Sequence, residues 1–469
     1  MLLPDGFEQT TALLMGTERW ERYQESLSSE RPVSIHLNKM KTQAMTVDPE
    51  MFQTQIPWCP NGFYLRQRPT FTFDPLWHAG LYYVQEAASM FISEVLRQHT
   101  SLPVMALDLC AAPGGKSLLL RDTLPAGSLL FSNEPMRHRA NILSENIQKQ
   151  GNPDVVVTNN YAQDYRRSGL LFDVILTDMP CSGEGMFRKE PEALQQWTPQ
   201  LVDQCSQLQR QILDDIWPCL KIGGILIYST CTFNRQENED NIRYILDHYD
   251  AEVLPIEISE AWGITPSLSK DLPYSVFRFI PGMTQSEGLF MAVIRKNDGE
   301  VSSRKKDKKE KDKTKQRGNN NKTAIPHWLL HQDDYHLVWK EDLVTAIHQQ
   351  WRDTYANAES TLKVIHAGVP LAVSKGKDLI PCHALALSTA LDSSAFPTAD
   401  VDAPTALQYL RKETITLSES LPKGFVLITF RKQPIGFVKN LGNRTNNLYP
   451  AEWKIKSSYL PDNLPLVLK

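Results

Sequence analysis

One segment decides the fold class of this chain: Val104-Met105-Ala106-Leu107-Asp108-Leu109-Cys110-Ala111-Ala112-Pro113-Gly114-Gly115-Lys116. Its first residues form a short apolar run, which is typical of a strand buried on both faces of a sheet. The run leads into Asp108 and then into small residues, which allow the backbone to approach a ligand closely. Because ligands of open α/β sheets bind beyond the carboxyl ends of the strands, we expect a binding loop here, called the glycine loop (residues 108–116).

Four more apolar runs follow, and helical segments separate them. The runs cover residues 128–132, 154–157, 174–176 and 224–228. The segment 135–150 begins with proline and stops at Gly151, and the segment 199–220 carries leucine and isoleucine at helical spacing. Strands that alternate with helices predict a doubly wound, Rossmann-like α/β core with a parallel sheet.

Two cysteines follow the ends of predicted strands. Asp178-Met179-Pro180-Cys181 comes after the fourth run, and Ser229-Thr230-Cys231 comes after the fifth. Two thiols at this edge indicate cytosine chemistry, because C5 of a pyrimidine attacks a methyl sulfonium only after a thiolate has added at C6. A base must then remove the proton from C5 so that the thiolate can leave, which gives the second thiol or a nearby carboxylate a role.

The ligand expected at the glycine loop is a cofactor that contains a nucleoside. The chain has neither a G-x-G-x-x-G pattern nor a P-loop, so a dinucleotide and a triphosphate are not favoured. Glu134 follows the second predicted strand, where a carboxylate can accept hydrogen bonds from two ribose hydroxyls. Asp178 ends the fourth predicted strand and completes this frame of one loop and two carboxylates.

Composition indicates a cytoplasmic globular protein. Hydrophobic residues make up 41% and charged residues 22% of the chain, which is typical of soluble domains. The N-terminus lacks the pattern of a signal peptide and no apolar run approaches about 18 residues, so we expect no membrane segment. Seven scattered cysteines favour reduced thiols over disulfides, and their spacing predicts no metal site. A monomer is the default expectation.

A basic segment divides the chain into two foldable regions. Residues 304–317 carry a net charge of +6, whereas the whole chain carries −4. The surrounding residues 298–323 contain almost no apolar side chain and predict a flexible linker, with an RNA-binding tail as the alternative. Since affinity for nucleic acid comes largely from Lys and Arg, any RNA surface elsewhere must be a local patch.

The motifs together resemble the NOL1/NOP2/Sun family of RNA 5-methylcytosine methyltransferases. The glycine loop is similar to the family's cofactor loop, Asp178-Met179-Pro180-Cys181 to its Asp-x-Pro-Cys motif, and Ser229-Thr230-Cys231 to its Thr-Cys motif. The segments 182–189 and 85–90 resemble the RsmF-like branch, which acts on bacterial small-subunit rRNA. Met179 replaces the usual alanine and Pro135 follows Glu134, but neither change removes a group that the chemistry needs.

The resemblance implies a role for each motif residue. Cys231 would attack C6 of cytosine, Cys181 would assist elimination and release of the RNA, and Asp178 would serve both the cofactor and the base. The cofactor would be S-adenosylmethionine. Its binding residues would be Cys110, Ala111, Ala112, Pro113, Gly114, Gly115, Lys116, Glu134, Asp178 and, for the adenine, either Asn160 or Asp164.

The resemblance also implies three domains. Residues 1–101 would form a small α+β N-terminal domain that helps to hold RNA, and residues 102–297 would form the S-adenosylmethionine-dependent methyltransferase domain. After the linker at 298–323, residues 324–469 would form a C-terminal extension with a PUA-like, β-rich RNA-binding module. In this last region the runs 424–430, 433–439 and 446–450 predict strands joined by tight turns.

We therefore predict an enzyme that methylates C5 of cytosine in RNA. Its expected target is small-subunit rRNA, either free or within the assembling subunit. Two alternatives stay open, which are the same chemistry on tRNA or large-subunit rRNA and a non-catalytic RNA-binding factor of ribosome assembly. The two thiols, Asp178 and the glycine loop argue against the assembly factor, because a binding module does not need them.

Overall fold

A computed structural model describes residues 3–4, 6–298, 325–376, 378–457, 459, 464 and 466–469. The basic segment 304–317 and, apart from Asp298, the whole predicted linker lie outside the described residues. Within the described ranges, no helix combines the length and the apolar character needed to cross a membrane.

The N-terminal part is a small antiparallel sheet with helices beside it, as predicted. Its helices are α1 (Phe7–Met15), α2 (Thr17–Ser26), α3 (Pro75–His78) and α4 (Ile92–His99). Its strands are β1 (Val33–Leu37), β2 (Phe52–Gln55), β3 (Gly62–Leu65) and β4 (Tyr82–Val84). They pair in the order β2-β3-β1-β4.

The central part alternates strands and helices. Its strands are β5 (Met105–Asp108), β6 (Leu129–Asn133), β7 (Val155–Thr158), β8 (Phe172–Asp178), β9 (Leu220–Thr230), β10 (Ala251–Val253), β11 (Val276–Phe279) and β12 (Leu289–Lys296). Its helices are α5 (Gly115–Thr123), α6 (Arg137–Gln150), α7 (Ala162–Ser168), α8 (Pro191–Gln196), α9 (Pro199–Ile216) and α10 (Glu239–His248).

The C-terminal part contains two further sheets. Its strands are β13 (Tyr335–Lys340), β14 (Leu343–His348), β15 (Val364–Ala367), β16 (Val369–Lys375), β17 (Asp378–Pro381), β18 (Thr398–Val401), β19 (Gly424–Phe430), β20 (Gln433–Asn440) and β21 (Thr445–Asn447). Its helices are α11 (Arg352–Thr361), α12 (His383–Leu387) and α13 (Ala403–Leu410). One sheet has the order β13-β14-β16-β17 and the other β18-β19-β20-β21.

A nine-stranded sheet forms the centre of the molecule, with the order β10-β12-β9-β8-β5-β6-β7-β15 and with β11 paired to β12. The five strands predicted from apolar runs, β5 to β9, are parallel neighbours within it. The predicted doubly wound core is therefore confirmed. The strand order reverses between β5 and β8, and a ligand of such a sheet binds at this switch point.

Burial on both faces explains why the central strands are continuous apolar runs. Successive residues of β6 and β8 alternate between two apolar clusters on opposite sides of the sheet: Leu130 and Leu176 lie in one, and Phe131 and Ile175 in the other. All four side chains are fully buried. Each buried side chain of this size contributes about 1.5–3 kcal/mol to folding.

Two predicted elements are shorter than expected. The helix predicted over 199–220 ends at Ile216, because Pro218 has no N–H with which to continue it. The strand predicted over 446–450 ends at Asn447, whose side chain accepts the N–H of Tyr449 at 2.8 Å. In both places a single residue ends the element earlier than the hydrophobic pattern predicts.

A strand from beyond the basic segment joins the central sheet. β15 pairs antiparallel with β7, with Val364 opposite Thr158 and Ala367 opposite Val156. Behind it, Leu362 and other residues of the C-terminal part pack into the same apolar cluster as Phe131. The central sheet is therefore built from two regions of the sequence.

We expect Phe131→Ala to destabilise the central sheet by about 3–5 kcal/mol. Phe131 is fully buried and its ring lies 5.5 Å from that of Phe172, so truncation leaves a cavity. Thermal unfolding followed by circular dichroism measures the loss. Leu208→Ala on the exposed side of α9 is the control, and an equal loss in both variants would contradict this account of the core.

Candidate active site

Two neighbouring parallel strands bring the predicted thiols together. β8 and β9 pair so that Asp178 lies opposite Ser229. Beyond them, Cys181 Sγ lies 3.0 Å from Cys231 Sγ, and the backbone N–H of Cys231 donates to Cys181 Sγ at 3.3 Å. A disulfide would hold the sulfurs about 2 Å apart, and both cysteines are free. The pair is a hydrogen-bonded couple of thiols.

The surroundings of Cys181 keep its thiol neutral. Hydrogen bonding to Cys231, together with burial, raises the pKa of Cys181 well above its usual range, and the charges of Cys231 and Glu237 act in the same direction. A neutral Cys181 thiol keeps its proton and can donate a hydrogen bond to Cys231 Sγ. The couple can thus present a thiolate on one sulfur that accepts a hydrogen bond from the other.

Two buried carboxylates fasten together the first thiol loop (residues 179–189) and the second thiol loop (residues 231–238). In the first, Glu184 accepts hydrogen bonds from the backbone N–H groups of Phe233 at 2.7 Å and Asn234 at 2.8 Å. In the second, Glu237 accepts one from the N–H of Ser182 at 3.1 Å. Each loop therefore holds the other in place.

The two carboxylates have further donors. Glu184 accepts from Trp197 Nε1 at 3.0 Å, and Glu237 accepts from Gln209 Nε2 and Asn234 Nδ2, both at 2.8 Å. Burial raises the pKa of Glu237 to about 6, against the hydrogen bonds from Ser182 and Asn234. Glu237 is not among the residues predicted from the sequence, because only its three-dimensional neighbours distinguish it from a surface carboxylate.

A buried ion pair supports the second thiol loop from behind. Arg278 of β11 and Glu239 at the start of α10 are both buried and make a two-pronged pair, in which Arg278 Nε lies 2.9 Å from Glu239 Oε1. Arg278 Nη1 also donates to the carbonyl of Phe233 at 2.7 Å. Removal of either partner would leave a buried charge uncompensated.

Asp178 connects the thiol strands to the glycine loop. Its Oδ1 accepts from Ser229 Oγ at 2.9 Å, and its Oδ2 accepts from Lys116 Nζ at 2.7 Å. Burial lowers the pKa of Lys116, but the charge of Asp178 and its hydrogen bond raise it more, so that the pKa lies above its usual range. Lys116 is therefore a fixed cation beside the thiol couple.

The glycine loop leaves one buried acceptor open. Asp108 Oδ2 accepts from Ser117 Oγ at 2.7 Å, whereas its Oδ1 is buried and has no hydrogen-bond partner among the described residues. Burial raises the pKa of Asp108 to about 7, against the effects of Ser117 and Lys116. Gly114 takes φ 125°, which favours glycine, and α5 begins directly after it with its first N–H groups free of intrahelical partners.

Glu134 lies one residue beyond β6 and is buried. Its Oε1 accepts the N–H of Met136 at 2.9 Å, and its Oε2 lies 3.5 Å from Arg139 Nη1. Arg139 also donates to the carbonyl of Ala112 at 2.9 Å. Each carboxylate oxygen keeps a lone pair for another donor, and Arg139 joins Glu134 to the glycine loop.

The two candidates for the adenine contact have different partners. Asp164 Oδ2 accepts the N–H of Tyr161 at 3.0 Å and caps the start of α7. Asn160 Oδ1 accepts the N–H of Lys363 at 3.0 Å, and Asn160 Nδ2 lies 3.5 Å from Asp164 Oδ2. Both candidates therefore lie together at the end of β7.

The remaining predicted cofactor residues line the same edge. The N–H of Ala111 donates to the carbonyl of Asn133 at 2.8 Å, which ties the glycine loop to β6. Burial raises the pKa of the Cys110 thiol, so this thiol stays neutral. Among the described residues, no group of three or more His, Cys, Asp or Glu side chains could hold a metal ion.

Three family models match the chain. They are "N-terminal domain of 16S rRNA methyltransferase RsmF" over residues 3–87, "16S rRNA methyltransferase RsmB/F" over 98–295 and "Methyltransferase RsmF PUA domain" over 396–455. Ribosomal RNA small subunit methyltransferase F of Salmonella agona (strain SL483) is 31% identical over 425 residues, which are 85% of this chain and 84% of the relative. The chain belongs to the RsmF family of rRNA methyltransferases.

Other known proteins resemble this chain in sequence or in fold. The enzyme of the same name from Escherichia coli O1:K1 is 29% identical over 448 residues, covering 90% of this chain and 91% of the relative. A methyltransferase homolog from Pyrococcus horikoshii is 25% identical with a TM-score of 0.50, over 62% of this chain and 100% of that chain. NSun6 from Pyrococcus horikoshii, solved with SFG, shares the fold at 17% identity and a TM-score of 0.52, over 63% and 99%.

The predicted family, branch, fold class and enzyme class are therefore confirmed. The RsmF PUA model covers β18 to β21, so the PUA-like, β-rich module predicted near the C-terminus is present. The RsmB/F model covers both thiol loops and the glycine loop, and the chain is a methyltransferase.

We expect Glu237→Gln to destabilise this RsmF-family enzyme by about 1–3 kcal/mol, because the amide nitrogen would face donors that now meet carboxylate oxygens. Those donors belong to Ser182, Asn234 and Gln209. Denaturant unfolding measures the change. Glu260→Gln, at an exposed site, should leave the free energy of unfolding unaltered. If Glu237→Gln also left it unaltered, the hydrogen bonds of Glu237 between the two thiol loops would contribute nothing to stability.

Proposed function

We propose that this protein transfers a methyl group from S-adenosylmethionine to C5 of a cytosine in small-subunit rRNA, through a covalent bond between Cys231 and C6. One observation carries the proposal: two thiols 3.0 Å apart lie beyond adjacent parallel strands, beside a carboxylate that is bonded to the glycine loop. A cysteine pair in this setting suits a reaction that needs a nucleophile and a proton acceptor at one ring.

The residues around the glycine loop fit S-adenosylmethionine. Glu134 has free lone pairs for the ribose hydroxyls, and the open oxygen of Asp108 offers an acceptor for the ammonium group of the methionine part. The N-terminal N–H groups of α5 suit its carboxylate. When bound, the cofactor supplies an electrophilic methyl group. The other proposed contacts are Cys110, Ala111, Ala112, Pro113, Gly114, Gly115, Lys116, Asp178 and Asn160 or Asp164.

The reaction would begin with the Cys231 thiolate. Its attack on C6 forms the S–C6 bond and moves the ring electrons to C5, which then takes the methyl group. Asp178, held by Lys116 and Ser229, would hydrogen-bond the cytosine edge. Removal of the C5 proton returns the electrons to the ring, breaks the S–C6 bond and restores the Cys231 thiolate.

Cys181 would take the C5 proton at the right stage. The hydrogen bond to Cys231 and the charge of that thiolate both raise the pKa of Cys181. Both effects end once Cys231 is bonded to carbon, so the pKa of Cys181 falls when a base is needed. The bonding state of the Cys231 sulfur thus controls the protonation of Cys181.

RNA would reach this edge from both sides of the enzyme domain. We propose the domain division 1–101, 102–297 and 324–469, with RNA-binding surfaces on the first and last. The names of the relatives support small-subunit rRNA as the substrate, with tRNA or large-subunit rRNA as the alternative, and we propose that the reaction takes place in the cytoplasm. An assembly factor without catalysis would have no use for the thiol couple.

We expect Cys231→Ala to abolish methylation, because no other thiol occupies its place. Bisulfite sequencing of total RNA from cells that carry either the wild-type chain or the variant measures this loss. A protected cytosine lost from small-subunit rRNA supports reaction, nucleophile and target together. Cys382→Ala, a cysteine far along the chain, is the control.

Other patterns in that experiment would revise the proposal. Loss only in tRNA or large-subunit rRNA would keep the chemistry and change the target. Methylation that persists in Cys231→Ala would move the nucleophile elsewhere, and a wild-type chain that protects no cytosine would favour the assembly factor.

We expect Cys181→Ala to trap the covalent adduct, because attack and methyl transfer proceed but elimination stalls. Denaturing gel electrophoresis with labelled RNA measures the trapped species as a nuclease-sensitive band above the free protein. The double variant Cys181→Ala/Cys231→Ala should show no such band. A Cys181→Ala enzyme that turns over normally without an adduct would sink the assigned role.

A further inference from the structure

We propose that β15 completes the cofactor site by fixing which atoms Asn160 presents to the adenine ring. The inference rests on the proposed function and deepens it, since it assigns a donor to the adenine and a positioning role to Lys363. Its basis is the backbone of Lys363, which lies directly before β15 and meets two consecutive asparagines at the end of β7.

Lys363 makes one hydrogen bond in each direction. Its carbonyl accepts the N–H of Asn159 at 3.0 Å, and its N–H donates to the Oδ1 of Asn160 at 3.0 Å. The first bond extends the pairing of β7 with β15. The second reaches a side chain that the sequence places among the candidates for the adenine contact.

The contact with Lys363 decides the orientation of the Asn160 carboxamide. The two ends of an asparagine side chain are distinguished only by their hydrogen-bond partners. A backbone N–H can only donate, so the atom that faces Lys363 must be the oxygen. Asn160 Nδ2 lies 3.5 Å from the Asp164 carboxylate, an acceptor, which requires the same assignment. One N–H of Nδ2 is left for a ligand.

Asn160 is also fixed relative to the glycine loop. Its N–H donates to Asn133 Oδ1 at 3.0 Å, and Asn133 Nδ2 donates to the carbonyls of Asn160 at 2.8 Å and Leu109 at 3.0 Å. Asn133 belongs to the end of β6, directly before Glu134. The carboxamide, the proposed ribose carboxylate and the glycine loop therefore form one hydrogen-bonded unit that extends to Lys363.

A fixed donor selects a particular part of adenine. The ring nitrogens of adenine are acceptors, whereas its 6-amino group is a donor. With Oδ1 held by the N–H of Lys363 and Nδ2 left with a free N–H, we assign Asn160 as the donor from Nδ2 to a ring nitrogen, N1 or N3. The strand beyond the basic segment thus contributes to recognition of the cofactor without touching it.

The test uses the full chain and isothermal titration calorimetry with S-adenosylhomocysteine and its 1-deaza and 3-deaza analogues. The wild type should bind one of the two analogues at least about tenfold more weakly than the parent compound, because a C–H replaces the acceptor. Asn160→Asp keeps an oxygen for Lys363 but has no donor, so it should bind the parent compound more weakly and should not discriminate against either analogue. Equal wild-type affinity for all three compounds would overturn the proposal.

A second pair of variants tests the role of β15. Lys363→Pro removes the N–H and should weaken binding of S-adenosylhomocysteine about tenfold or more, whereas Lys363→Ala keeps the N–H and should bind as the wild type does. A folded Lys363→Pro variant with wild-type affinity would contradict the role of Lys363 and β15 in cofactor binding. If Lys363→Pro does not fold, Asn160→Asp tests the proposal. A wild-type chain with no affinity for S-adenosylhomocysteine would instead overturn the proposed function.

Discussion

The pairing of β8 with β9 sets the geometry of the candidate active site. Parallel neighbours lie about 4.8 Å apart, and the register sets Asp178 opposite Ser229. A shift of one residue would turn every side chain of a strand to the other face, and Asp178 and Ser229 could no longer share a hydrogen bond. The 3.0 Å contact between the thiols follows from this register together with the hydrogen bonds that Glu184 and Glu237 accept across the two thiol loops.

The carboxyl edge of the sheet is polar although it is buried, and this has an energetic cost. Carboxylates that leave water are destabilised unless donors replace the lost solvent. Glu184 has four such donors and Glu237 has three, and yet burial still raises the pKa of Glu237 to about 6. Asp108 has one oxygen that is unpartnered among the described residues, and burial raises its pKa further, to about 7. Such perturbed groups cluster where chemistry occurs.

The edges of the central sheet show how the regions of the chain become one unit. β12 and β10 extend one side of the parallel core with antiparallel pairs, and β15 is the terminal strand on the other side. Directly before β15, the backbone of Lys363 hydrogen-bonds Asn159 and the side chain of Asn160, and Asn160 hydrogen-bonds Asn133. The attachment of β15 and the organisation of the proposed cofactor site therefore share Lys363.

The fold class, the five parallel strands and the positions of Cys181, Cys231, Asp178 and the glycine loop were predictable from the amino-acid sequence, because each depends on local patterns of apolar runs and small or polar residues. Helix and strand ends were less predictable where Pro218 and Asn447 intervene.

The hydrogen-bond partners of these residues, in contrast, become visible in the folded chain. Glu237 and Lys363 carry no motif, and they matter because folding brings them against Ser182 and Asn160. The joining of β15 to β7 is equally invisible in sequence, since about two hundred residues separate the strands and a short apolar run does not specify its partner. Local sequence patterns predict strands, loops and reactive side chains, whereas hydrogen bonds between distant segments exist only once the chain has folded.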